Sequence, residues 1–186
     1  RLFGYYEFNQ VIAFPYLVKH PPSHWSLEFL GNRLTKWVEE SYVADDKELV
    51  LSASMVDSAY RQSFFAAKKE PVRFDVENAE TISEQIIYLQ PHVYLFKFDY
   101  NLFAFRTEML KEDPDYWLEH DFPKLEKGEF YFILYRNHQN FTLCDSVSPV
   151  AYHILTLFQK GASIDQICEW LENQDEATCE EAENHM

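Results

Sequence analysis

Apolar positions recur at helical spacing through the first third of the chain. Residues 2–19 are rich in aromatics, with Phe8, Val11, Ile12 and Leu17 available for burial and Pro15 placed to kink or divide the segment. His20-Pro21-Pro22-Ser23 breaks the pattern. A second helix is predicted around 26–42, where Leu27, Leu30, Leu34, Trp37 and Val38 fall at three- and four-residue steps. A third opens at Asp45 or Asp46, carries Leu49, Ala53, Val56, Tyr60, Phe64 and Ala67 on one face, and stops before Pro71.

The period then changes. Ile86–Gln90, Val93–Phe98 and Leu102–Phe105 are β-branched and aromatic, which suits strands. The polar stretch Thr107–Gly128 holds Met109, Tyr116, Trp117, Leu118 and Phe122, too apolar a set for a plain linker. Phe130–Tyr135 and Phe141–Cys144 make a hairpin around Arg136-Asn137-His138-Gln139-Asn140. Ser148-Pro149 then gives an N-cap and a proline at N1, and Ala151, Ile154, Leu155 and Phe158 form one stripe. Gly161 ends that helix. Ser163 and Gln166 make a capping box before a second stripe of Ile164, Ile167, Cys168 and Leu171. The expected fold is α+β. A helical domain spans 1–75, a small antiparallel sheet with a winged-helix-like end spans 76–173, and an acidic, frayed tail fills 174–186.

Composition narrows the classes. Apolar residues at 47% and charged residues at 25% are ordinary for a globular chain. Only 4 glycines are present, which argues against phosphate-cradling loops. The net charge of −15 does not suit a nucleic-acid binder. Six acids and no Lys or Arg lie in 172–186, and the rest of the chain is acidic as well. No run of 18 apolar residues exists, so no membrane partner is expected. Three cysteines without a CxxC spacing indicate neither a disulfide framework nor zinc, and the expected location is the reducing cytoplasm.

Candidate chemistry is sparse. His20 and His24 have i, i+4 spacing, but Pro21 and Pro22 between them exclude a helix, which makes them loop histidines. Glu119, His120 and Asp121 can supply a ligand or an acid/base, or be a solvated loop face. Cys144 and Cys168 fall on apolar faces and are expected to be buried, inert thiols. No catalytic, cofactor-binding or metal-ligating residue is assigned. The 163–172 helix carries Asp165, Glu169 and Glu172 and no base, which would repel DNA phosphates. A winged-helix-like transcription regulator is therefore the alternative reading. The favoured one is peptide docking: Phe141–Cys144 can be a sheet edge to which an extended peptide adds as a strand, with the acidic helix suiting Lys or Arg.

Tyr16-Leu17-Val18-Lys19-His20-Pro21-Pro22, then Leu30-Gly31, Leu34 and Trp37-Val38, resembles the helical signature of the accessory-subunit family of MbnC, HvfC and BufC, formerly DUF2063 and once described as DNA-binding. Asp57-Ser58-Ala59-Tyr60-Arg61 is similar to its next helix. Leu89-Gln90-Pro91-His92-Val93 and Phe98-Asp99-Tyr100-Asn101-Leu102-Phe103 look like its paired strands. The resemblance covers about residues 14–173. The closing segment also resembles the PqqD-like element that recognises leader peptides of ribosomally made precursors. That likeness implies peptide-binding residues at Asn140, Phe141, Thr142, Leu143, Cys144 and Asp145 and at Ile164, Ile167, Cys168 and Leu171.

What the family resemblance implies is a non-catalytic subunit. Its partners would be a TIM-barrel, multi-iron (MbnB-like) oxidase subunit and a precursor peptide whose cysteines that oxidase modifies with dioxygen. In the methanobactin case, a copper chelator, the products are an oxazolone and a thioamide. Iron would belong to the partner, with no cofactor in this chain. Longer relatives carry an N-terminal segment with a Tyr-Arg-Asn-like motif, and a chain starting beyond it is expected to be of the methanobactin type.

Overall fold

A computed structural model describes residues 2–71 and 81–185. The fold is α+β, with helices and a three-stranded antiparallel sheet of order β1-β2-β3. The chain divides into two compact units, Arg1–Arg61 with Phe98–Glu129, and Gln62–Lys97 with Phe130–Met186. The expected boundary between residues 75 and 76 lies outside the described residues.

In the first unit, α1 (Tyr5–Phe8) runs through a π-helical stretch, Asn9–Ala13, into α2 (Phe14–Lys19). The wide turn precedes Pro15, which has no N–H to donate and whose ring crowds the carbonyl four residues back. The helix predicted over 26–42 is divided. Ser26 caps only a 3₁₀ turn, Leu27–Phe29, and α3 (Leu34–Ser41) starts afresh after Gly31. The Tyr16 hydroxyl donates to the Leu30 carbonyl, and Arg61 donates to the Glu28 carbonyl and the Asn32 side chain, which fixes the interruption. Ile12, Tyr16, Trp37, Val38, Tyr42 and Val50 form one core cluster. On α4 (Lys47–Phe65) the buried positions are Val50, Ser54, Val56, Ala59 and Ser63, whereas Phe64 and Ala67 are exposed rather than facing a core.

Leu102–Phe105, expected as a strand, is helical instead: α5 spans Leu102–Met109. The Asn101 side chain accepts from the Ala104 N–H at 3.2 Å, an N-cap that ends β1 (Tyr94–Tyr100) and turns the aromatic run into a helix. Leu102, Phe105 and Met109 are then buried at i, i+3, i+7.

In the second unit, Ile86–Gln90 makes an isolated bridge between Ile87 and Ala162 rather than a strand. The hairpin of β2 (Lys127–Arg136) and β3 (Thr142–Ser146) forms as expected, and Asn140 takes the left-handed turn position at φ 66°. Ser148 caps α6 (Pro149–Lys160), accepting from the Ala151 N–H, and Gly161 ends it at φ 88°. Ser163 and Gln166 form the expected capping box of α7 (Ile164–Glu172). The acidic end, expected as a frayed tail, is helical over its described residues. Asp175 accepts from the Thr178 N–H at 2.9 Å and starts α8 (Glu176–His185), which packs on α6 and α7 and buries Ala182.

Candidate functional site

The hairpin register sets which way each β3 backbone group points. Phe132 pairs with Ser146, Leu134 with Cys144 and Arg136 with Thr142. Asn137 donates to the Phe141 carbonyl and Val147 to the Tyr131 carbonyl. By antiparallel alternation, Phe141, Leu143, Asp145 and Val147 turn their backbone toward β2, and Thr142 and Ser146 turn theirs away from it. β3 is an edge of the sheet. Asn140 and Phe141 lie in the turn, with Phe141 62% exposed, and Leu143 is exposed on the strand. Asp145 is engaged, since its carboxylate accepts from the Tyr135 hydroxyl at 2.8 Å.

On α7, Ile167 is buried and Ile164 and Leu171 are half-buried. Cys168 was expected inside but is exposed: the buried stripe is Ile164, Ile167 and Leu171, and residue 168 sits beside it. Cys144 is only half-buried, not fully enclosed. The far end of the helix is partly claimed by α8, where the Cys179 thiol donates to the Leu171 carbonyl at 3.4 Å. At the near end Ser83 donates to Asp165 at 3.3 Å. Asp165, Glu169 and Glu172 are exposed along α7. The ten sequence-derived positions thus divide between the β3 edge and an α7 whose flanks meet α8 and the 3₁₀ turn Ile82–Glu84.

A cluster that sequence reasoning missed holds the hairpin. The Arg136 guanidinium donates at 2.8 Å to the carbonyls of both Phe64 and Ala66, at the C-terminal end of α4 where carbonyls lack helical partners. Ser63, fully buried, donates to the His92 carbonyl at 2.9 Å. The His92 ring is buried, bonds to the Arg136 backbone, and leaves Nδ1 without a hydrogen-bond partner. Burial first, and the Arg136 charge second, push the imidazole below its ordinary range, so it is neutral. Only the long-range pairing of a lone arginine with a helix end marks this cluster, and no local spacing reveals it.

The histidine candidates are occupied locally. His24 accepts from the Ser26 N–H at 3.0 Å, and His20 lies against Tyr16. His120 stacks on Tyr116 with ring centres 3.8 Å apart and bonds to the Tyr116 carbonyl. Among the described residues, no three His, Cys, Asp or Glu side chains converge to hold a metal ion.

The first unit contains a second candidate, an apolar groove of about 620 Å³. The Trp117 indole donates to the Met109 carbonyl at 3.2 Å, tying the 110–122 segment to the end of α5. Trp117, Leu118 and Phe122 thereby form one wall, with Phe3 and Phe8 among the others. Asp57, from α4, opens into the groove and into a smaller adjoining cavity of about 190 Å³. Asp57 is exposed at the mouth of the groove, yet desolvation by the surrounding protein raises its carboxyl above the ordinary range, with the N-terminal ammonium first and Arg106 second pulling the other way. The aromatic content of 107–128 was the signal available in sequence. The chain matches no family model and no curated protein. Among the described residues, no helix is long and apolar enough to cross a membrane.

Proposed function

We propose that this chain is a non-catalytic accessory subunit that docks an extended precursor peptide on the β3 edge, for modification of its cysteines by an iron-dependent oxidase subunit. The observation that supports this reading most is the edge position of β3, with Thr142 and Ser146 presenting backbone away from β2. The exposed acids of α7 suit a peptide bearing Lys or Arg and would oppose DNA. The pathway, of methanobactin type, and the iron-bearing barrel partner belong to the same proposal and rest on the residue resemblance.

The test is a proline at the outward-facing position. Phe141 is the wrong place for it, because the Phe141 N–H donates to the Asn137 side chain at 3.0 Å and a proline would open the turn. Thr142→Pro removes an outward donor instead. Titrating a 20-residue Lys- and Arg-bearing peptide rich in β-branched residues should give binding to the parent and to Thr142→Ala. Thr142→Pro should weaken it by about tenfold or more, the worth of about one to two backbone hydrogen bonds. Equal affinity of a folded Thr142→Pro variant sinks strand addition.

A further inference from the structure

The groove of the first unit has a chemistry unrelated to strand addition and independent of the accessory role. Its walls are aliphatic and aromatic, from Leu2 and Phe3 through Ile12, Leu34 and Val38 to Trp117 and Phe122. Its volume of about 620 Å³ falls in the range of small-ligand sites, roughly 300–1,000 Å³. Its lining carboxylates are Asp57 and Asp115, and among the described residues no Lys, Arg or His belongs to the lining. The indole N–H of Trp117 is spent on the Met109 carbonyl, so Trp117 offers the groove only its ring. Ser54, one helical turn before Asp57 on α4, donates its hydroxyl hydrogen to the Leu51 carbonyl at 2.7 Å and keeps acceptor capacity on Oγ. Polar function in the groove is thus acceptor-rich and negative, set in apolar walls.

The charges that oppose Asp57 are the N-terminal ammonium and, after it, Arg106, and together they do not bring its carboxyl down to the ordinary range. Arg106 lines the adjoining cavity with Glu112, and its guanidinium lies over the Tyr60 ring at 4.3 Å. We infer that the groove binds a small monocationic amphiphile, its aromatic or branched body against Trp117 and Phe122 and its ammonium donating to the Asp57 carboxylate. A carboxylate only accepts and an ammonium only donates, so the two pair, and aromatic walls favour a cation at their face.

Three probes with one body and different heads test this on the full chain: 4-phenylbutylamine, 4-phenylbutanol and 4-phenylbutyrate, by calorimetric titration. The amine should bind tightest and the carboxylate weakest. Asp57→Asn, nearly isosteric, should weaken the amine about tenfold or more, as expected for losing a hydrogen bond to a charged group, and leave the alcohol within about twofold. A measurement on the unmodified chain guards against a variant that folds poorly: bound amine should give NOEs between its phenyl protons and the Trp117 indole. Indifference to head group, preference for the carboxylate, amine affinity unchanged in Asp57→Asn, or no binding of any probe at millimolar concentration would each overturn the assignment.

Discussion

Replacing Arg136 should loosen the hairpin that carries β3. Its guanidinium bridges the carbonyls of Phe64 and Ala66, each at 2.8 Å. Hydrogen bonds from a charged donor are worth about 1.5–3 kcal/mol when shielded from water. The Ala66 bond is partly buried and keeps about 1.5–2 kcal/mol of that, while the exposed Phe64 carbonyl is readily rehydrated and contributes about 0.5–1 kcal/mol. Arg136→Ala should therefore cost about 2–3 kcal/mol, or about 4–12 °C in Tm at about 2–4 °C per kcal/mol for a chain of this size. Arg136→Lys keeps the charge but presents a point donor instead of a fork, and should recover no more than about half. Urea unfolding gives the free energies, and amide hydrogen exchange in β2 and β3 localises the effect. A loss below about 0.5 kcal/mol, or full recovery by lysine, would falsify the claim that the guanidinium fork ties the hairpin to the end of α4.

Two further outcomes concern the same unit. His92 is held below its ordinary value of 6.5, so between that value and its lower folded-state value the unfolded chain binds a proton that the folded chain does not. Stability should be full above about pH 6.5 and fall as pH drops below it, a slope that His92→Gln should flatten in urea unfolding at pH 7.5 and 5.5; an identical slope in the variant would refute the assignment. Gly161→Ala places a Cβ against the Tyr88 ring in a backbone at φ 88°. Tyr88 is 62% exposed and its ring can swing aside, which leaves the backbone strain of about 1–3 kcal/mol as the cost. A urea midpoint unchanged by Gly161→Ala would contradict that.

The C-terminal half was legible because its signals are local. Ser148-Pro149, Gly161 and the Ser163/Gln166 pair each act within one helical turn, and each sits where the caps require. The hairpin followed likewise from alternation and a turn. Leu102–Phe105 went astray because aromatic composition outweighed a single capping residue, Asn101, whose side chain decides the matter. At the acidic end charge alone suggests fraying, while Asp175 and Ala182 give the segment a cap and a buried contact that composition does not announce. The candidate sites were less legible. The β3 edge could be read from strand order, but the Arg136 cluster joins residues about 70 positions apart, and the groove assembles side chains from α1 to Phe122. Nothing in sequence spacing encodes such convergence.

The proposed accessory role makes one demand that no property of the isolated chain can meet, a partner that carries iron. Tagged full-length chain recovered from its native host should bring down a barrel protein in stoichiometric amount, with iron measured in the eluate at more than one atom per complex. Recovery of the chain alone, or with DNA and without iron, would contradict the account.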